Sequence, residues 1–346
     1  MKTIRKLSIA LFATLCASTA LAETKVTFFV WAGSNQGVVP TEVIEKYRKD
    51  NPNVTINILE SNNTVTYPQM VTVRRTDPNN PFVHCGYFNI ESLNRGDLDD
   101  MWEAIDTKRI PNLENYRLDQ FGRPDNRGVP YTMSVYGLLY NTEHMKEKPD
   151  SWSILWDPKM ENRITMYDYD VRTISLTARM NGGDERNIDP AFKVWSEHAK
   201  NFRALNDSND ATKNLLTSGD AWIAPWSSAT SAQWIKDGAP LAWTLPKEGG
   251  VGYPMYLAIV NGVNDDQRRV CEEIINELLT AENNSRYALL TNGISLHKEP
   301  ILTDEQKNNP TQNIDPNNII MLDYPYISTV VSDWRRRWDR EVKSKM

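Results

Sequence analysis

The order strand, helix, strand at the start of the chain's folded part constrains its architecture more than any other feature. From Lys25 to Trp31, Val26, Phe28 and Val30 fall on one face and Thr27, Phe29 and Trp31 on the other. Both faces are largely apolar, so the segment reads as a strand buried on both sides. A turn through Ser34-Asn35-Gln36-Gly37 follows, and Pro40-Thr41 opens a helix carrying Val43, Ile44 and Tyr47 that stops near Asn51-Pro52. Val54 to Leu59 is a second strand. A strand that crosses through a helix to its neighbour builds a parallel sheet with helices on its faces, which places the chain in the α/β class.

The rest of the chain repeats this grammar. Pro81 to Tyr87 reads as a strand, followed by a short helix through Ile90 and Leu93. Arg163 to Tyr167, Ala221 to Trp226, Leu241 to Leu245 and Met255 to Val260 read as strands. Pro190 to Leu205 reads as one amphipathic helix, with His198 on its apolar stripe as a packed histidine. Asp265 to Leu290 is the longest helical pattern. No internal sequence repeat and no Pro/Gly-rich joint is visible. At 346 residues the chain exceeds a typical single core, which predicts two domains. Without a linker, those domains are expected to share strands.

The N-terminus predicts export. Lys2, Arg5 and Lys6 precede an apolar run from Leu7 to Ala17, and Ala20-Leu21-Ala22 has the small residues of a cleavage site before Glu23. The run is shorter than the roughly 20 apolar residues that a permanent span needs. Cys16 follows Ala13-Thr14-Leu15, the wrong order for lipid attachment. Residues 1–22 are therefore expected to be a cleaved signal peptide, leaving the mature protein in the periplasm. The whole chain carries a net charge of −6, and the leader removes three positive charges. An acidic protein without basic runs is a poor partner for nucleic acid. Arg335-Arg336-Arg337, between Trp334 and Trp338, reads as the solvated face of a terminal helix. Cys85 and Cys271 remain after cleavage. An exported protein permits a bridge between them, but the sequence leaves open whether they meet. No metal-ligand spacing of Cys and His appears, and no cofactor motif.

Chemistry-bearing motifs are sparse. There is no nucleophile elbow and no phosphate loop; the glycine-rich Lys247-Glu248-Gly249-Gly250 lacks the strand–loop–helix order of a phosphate cradle. Asp168 and Asp170 form a carboxylate pair that admits two readings, glycosidase-like acid/base chemistry or helix capping. Aromatic residues stand out more. The chain has 11 Trp, and Trp31, Tyr87, Phe88, Trp226 and Tyr253 sit at or beside strand ends, where α/β proteins bind ligands. Trp102, Trp152, Trp156 and Trp195 read as core. Convergent aromatic faces with one carboxylate make a box for an organic cation.

Three segments in order carry a family resemblance. Ser151-Trp152-Ser153-Ile154-Leu155-Trp156-Asp157-Pro158, the strand Val129-Pro130-Tyr131 with Gly137 and Asn141, and Leu245-Pro246-Lys247-Glu248-Gly249-Gly250 are similar to segments of the extracellular solute-binding proteins of ABC transporters. The branch they resemble contains the spermidine/putrescine-binding proteins. The resemblance covers nearly the whole chain after the leader. It implies a two-lobed periplasmic-binding-protein fold of type II whose lobes close on a ligand across crossover strands. Lobe 1 would hold 23–131 and 257–303, and lobe 2 would hold 132–256 and 304–346. It further implies a monomer that is not an enzyme, takes no cofactor, and delivers a small molecule to an ABC permease of the inner membrane. A sensing co-receptor of the same fold is the alternative.

Carried over residue by residue, the resemblance implies a ligand site of Trp31, Tyr87, Phe88, Asp170, Trp226 and Tyr253. Departures accompany it: Thr173 and Met255 stand where polyamine binders have carboxylates, and Ile294 where they have a tyrosine. Arg172 is either structural or a partner for a ligand carboxylate. A polyamine carries two or more positive charges, and an unpaired ammonium in a desolvated cleft is costly. These exchanges point to a smaller cationic or zwitterionic amine. A ferric-ion site would need an adjacent tyrosine pair that is absent.

Overall fold

The computed structural model describes residues 23–33, 35–123 and 125–346. The expected leader lies outside them. The chain opens with β1 (Thr24–Trp31), α1 (Val38–Asp50), β2 (Val54–Ser61), α2 (Asn63–Thr76), β3 (Cys85–Asn89) and α3 (Ile90–Leu98). The short β4 (Trp102–Glu103) and α4 (Leu118–Phe121) lead into the long β5 (Val129–Asn141). Then come β6 (Ile164–Tyr167), α5 (Val171–Met180), α6 (Asp189–Glu197), β7 (Phe202–Asn206), α7 (Asn209–Thr217), β8 (Ile223–Ser227), α8 (Ser228–Lys236) and β9 (Leu241–Thr244). The return strand β10 (Gly250–Val260) precedes α9 (Asp265–Leu278), α10 (Ala281–Thr291), β11 (Ile294–Ser295), α11 (Asp304–Asn308), β12 (Ile319–Ile320) and α12 (Tyr324–Glu341).

The strands lie in the order β2-β1-β3-β10-β5-β8-β6-β7. Read inward from either edge, the arrangement is the same. The second strand of each half is outermost, the first is next, and the third abuts a crossover strand that runs antiparallel to it. The sequence shows no repeat, yet the topology repeats, because parallel pairing needs only apolar runs of similar length and not similar residues. β5 and β10 belong to both halves, which accounts for the missing linker. Twelve of β5's thirteen residues are buried. Where β5 and β10 pair, the register shifts between Met255 and Tyr256: Met255 faces Thr132 while Tyr256 faces Pro130, leaving Tyr131 as the extra residue of a bulge. A bulge bends its strand and re-aims the side chain there.

Several expectations need correction. The helix expected over Asp265 to Leu290 is two, because Thr280 leaves the helix and caps a new one, its hydroxyl accepting from the Asn283 N–H at 3.3 Å. The helix expected over Pro190 to Leu205 stops at Glu197, with His198 half-buried as its C-cap rather than packed in the core. Phe202 to Asn206 then pairs with β6 instead. The third strand begins at Cys85; before it, His84 alone bonds to β1, its N–H donating to Thr27 O and its Nδ1 accepting from Thr27 N–H, both at 2.9 Å. α2 was not visible as a pattern, since Pro68 sits inside it and its apolar residues are sparse.

Cys85 and Cys271 are joined by a disulfide with a Cα–Cα distance of 6.0 Å, which settles what the sequence left open. It ties β3 to α9 beneath the sheet. Trp102, Trp152 and Trp195 are core residues and Trp156 is half-buried. The arginine run lies on α12, whose Trp334 and Trp338 are buried; Arg336 pairs with Asp333 and Arg337 with Asp189 and Glu341. Among the described residues no helix is long and apolar enough to cross a membrane.

Candidate functional site

The carboxyl ends of the parallel strands in both halves point at the same stretch of the crossover pair. On β3 the last residue, Asn89, lies opposite Met255, while the first, Cys85, lies opposite Ile259. On β8 the last residue, Ser227, lies opposite Tyr136, while the first lies opposite Tyr140. Met255, opposite Thr132, lies next to the bulge, and Tyr136 lies further along β5 on the same side. Strand ends from the two halves therefore face each other across the middle of β5 and β10, the position where open α/β sheets bind ligands.

Trp31 is the last residue of β1 and is half-buried. Trp226 is 1% exposed near the end of β8, stacked between Tyr167 (ring centroids 4.7 Å) and Trp234 (5.6 Å). Its carbonyl accepts from the Trp243 Nε1 at 3.1 Å. Trp243 in turn lies against Gly137, where a Cβ would come within 2.4 Å of its ring. This glycine of the crossover strand thus makes room for the indole that holds Trp226. Tyr87 on β3 packs with Tyr131 (5.4 Å) and Tyr287 (5.1 Å), and burial drives its phenol far above the usual range. The Tyr87 and Tyr131 hydroxyls interact with each other, while the Trp31 Nε1 and the Trp226 Nε1 are buried without a hydrogen-bond partner in the protein. Such groups are uncommon and costly, about 1–3 kcal/mol each.

Asp170 caps α5. Its carboxylate accepts from the Thr173 N–H (3.2 Å) and hydroxyl (2.5 Å) and from the Arg172 Nε (2.6 Å). The Arg172 guanidinium lies over the Tyr136 ring at 4.0 Å and the Tyr253 ring at 4.9 Å, and reaches Glu91 of the other half at 3.5 Å. The Tyr253 hydroxyl also donates to Glu91, at 3.3 Å. Burial works against the charge on Arg172, but Asp170, Tyr136 and Glu91 outweigh it, so the group stays protonated. The protein's own cation occupies this aromatic box and uses the Asp170 charge.

The structure thus separates the residues that the sequence grouped. Tyr87, Trp226 and Met255 belong to one buried cluster, and Phe88 and Tyr253 pack with another; Trp31 touches both. Alternation along β3 sends Phe88 to the opposite face from Tyr87, against Trp102 (4.6 Å) and Phe29 (5.5 Å). Arg172 and Thr173 serve Asp170. Asp168 does not converge with Asp170, because Tyr169 between them takes φ 69°. Asp168 instead accepts from the Lys343 Nζ at 2.7 Å, with Arg335 at 3.9 Å, so the paired-carboxylate reading has no geometry behind it. Tyr131, Tyr136, Tyr167 and Glu91 were not singled out from sequence. A tyrosine at the crossover bulge, another further along β5 and an acid in the first turn after β3 were the available signals. Among the described residues no group of three or more His, Cys, Asp or Glu is placed to hold a metal ion.

The family model for bacterial extracellular solute-binding proteins matches residues 86–321. A curated relative, spermidine/putrescine-binding periplasmic protein 1 of Haemophilus influenzae, is 27% identical over 254 residues, covering 70% of this chain and 67% of the relative. Among solved structures, an ABC transporter protein of Clostridium perfringens superposes with a TM-score of 0.77 at 20% identity, covering 92% of this chain and 99% of the other. The spermidine/putrescine substrate-binding protein PotD of Streptococcus pneumoniae gives 0.74 at 16% identity, covering 92% and 99%. The GABA receptor Atu4243 gives 0.74 at 16% identity, covering 91% and 97%. These likenesses establish the two-lobed periplasmic-binding-protein fold.

Proposed function

This chain belongs to the bacterial extracellular solute-binding proteins, and from that premise we propose that it is the periplasmic receptor of an ABC importer for a small amine-bearing solute, cationic or zwitterionic. It binds the solute between its lobes, performs no chemistry on it, and presents the closed form to a permease in the inner membrane. The hinge lies at the β5–β10 bulge, which divides the chain into 23–131 with 257–303, and 132–256 with 304–346. Closure there would bring the strand ends of the two halves together around the solute.

The observation that carries this reading is the pair of buried indole N–H groups on Trp31 and Trp226 that meet no partner in the protein near strand ends of the two halves. The relative named for spermidine and putrescine and the neighbour named for GABA support an amine. A long polyamine fits less well. Thr173 and Met255 carry no charge, and the Asp170 and Glu91 carboxylates already serve Arg172.

A melting-temperature screen tests the proposal, with putrescine, spermidine, choline, betaine, γ-aminobutyrate and the amino acids as the panel. A solute at 100 times its Kd stabilises the protein by about 2.7 kcal/mol, which is roughly 4 °C for a chain of this size. The expected result is such a shift from one member, recovered unaltered. A flat response to every amine, or conversion of the compound, would overturn the proposal.

A further inference from the structure

Hydrogen-bond direction at the junction narrows the solute class. An indole Nε1–H donates and never accepts. Trp31 brings one such donor from the end of β1, and Trp226 brings another from the end of β8 in the other half; both are buried without an acceptor. Tyr87 and Tyr131 belong to the same buried cluster as Trp226, and their hydroxyls interact with each other. Two carboxylates of this region already have partners: Asp170 serves Arg172 and Thr173, and Glu91 serves Arg172 and Tyr253. Two more indoles, Trp156 and Trp338, also lack a partner, but both pack on Trp195 in the outer core of the second half, away from the strand ends.

The two indoles therefore offer donors that need an acceptor. A protonated polyamine is itself only a donor, so it leaves both indoles unsatisfied. Resting on the reading of this chain as a solute receptor, we infer that its solute carries an oxygen acceptor, such as the carboxylate of an amino acid or a betaine, received by the indole N–H groups of Trp31 and Trp226. Each indole acts from one half, so an oxygen held by both is satisfied only when the halves are closed. The same contacts couple recognition to closure.

Titration calorimetry with γ-aminobutyrate, betaine and the amino acids on one side, and putrescine and spermidine on the other, provides the test. It is run on the native protein and on Trp31→Phe and Trp226→Phe, which keep an aromatic ring and delete the N–H. An oxygen-bearing solute is expected to bind most tightly and to lose about tenfold in affinity in each variant, as for a hydrogen bond to a charged group. Trp31 ends a strand and is half-buried, so its variant provides a folded protein even where Trp226→Phe does not. Tighter binding of a polyamine than of every oxygen-bearing compound would overturn this inference and leave the receptor reading intact. So would affinity within twofold of native in Trp31→Phe. Binding of neither class would overturn both.

Discussion

Replacing Asp170 by Asn separates two roles for that carboxylate, partner of Arg172 or partner of a solute amine. Asparagine caps a helix about as well as aspartate, so the substitution keeps the start of α5 and removes only the charge. The Asp170 side chain is 1% exposed and Arg172 is 10% exposed. Removing one member of such a buried pair costs about 3–5 kcal/mol, because the other is left uncompensated. Here Glu91 at 3.5 Å and the Tyr136 ring at 4.0 Å remain around the guanidinium, which lowers the expected loss to about 2–4 kcal/mol. Arg172→Met should also destabilise, and the double variant should lose less than the sum, with a coupling of roughly 2 kcal/mol. Urea unfolding of the solute-free protein, followed by circular dichroism, reads this as a lower midpoint at unchanged slope. A loss below about 0.5 kcal/mol in Asp170→Asn, or additive single variants, would refute the pairing. If that stable variant had also lost solute binding, the charge would belong to the solute.

Replacing Cys85 and Cys271 with Ser opens a loop spanning a sequence separation of 186 residues and should cost about 2–5 kcal/mol; a melting temperature equal to that of the native protein would contradict this. His84 is buried between Thr27 and Gln267, and burial lowers its pKa from 6.5 to about 4. Between those values the unfolded chain binds a proton that the folded chain does not, so stability falls as pH drops from 6.5 toward 4, by about 3 kcal/mol in total. Unfolding midpoints across that range should fall more steeply in the native protein than in His84→Gln; equal slopes would rule the residue out as the cause.

The parallel-sheet class and the aromatic strand ends were legible in the sequence because each is a local signal, whereas the crossover strand β5 was implied by the family resemblance. Trp31 and Trp226 announce themselves as indoles closing apolar runs, and their burial at the junction follows from the strand order. The helix break at Thr280 was hidden, since its apolar spacing continues across the break and only the capping hydroxyl marks it. The fate of Asp170 was hidden for a different reason. A carboxylate two residues before an arginine is compatible with a free acid or an internal pair. The choice depends on Tyr136 and Tyr253, which arrive from strands far along the chain and fix where the guanidinium lies. Tyr87 and Phe88 were adjacent candidates, and only the pairing of β3 with β10 decides which face each takes. The disulfide likewise needed the placement of α9 against β3.

A crystal structure of the complex with the panel solute that raises the melting temperature most tests the account most directly. The solute is expected between the halves, beside the β5–β10 bulge, with an oxygen within hydrogen-bond distance of the Trp31 or Trp226 Nε1 and its covalent structure unaltered. A solute bound on the outer surface of one half, or touching neither indole, would contradict it.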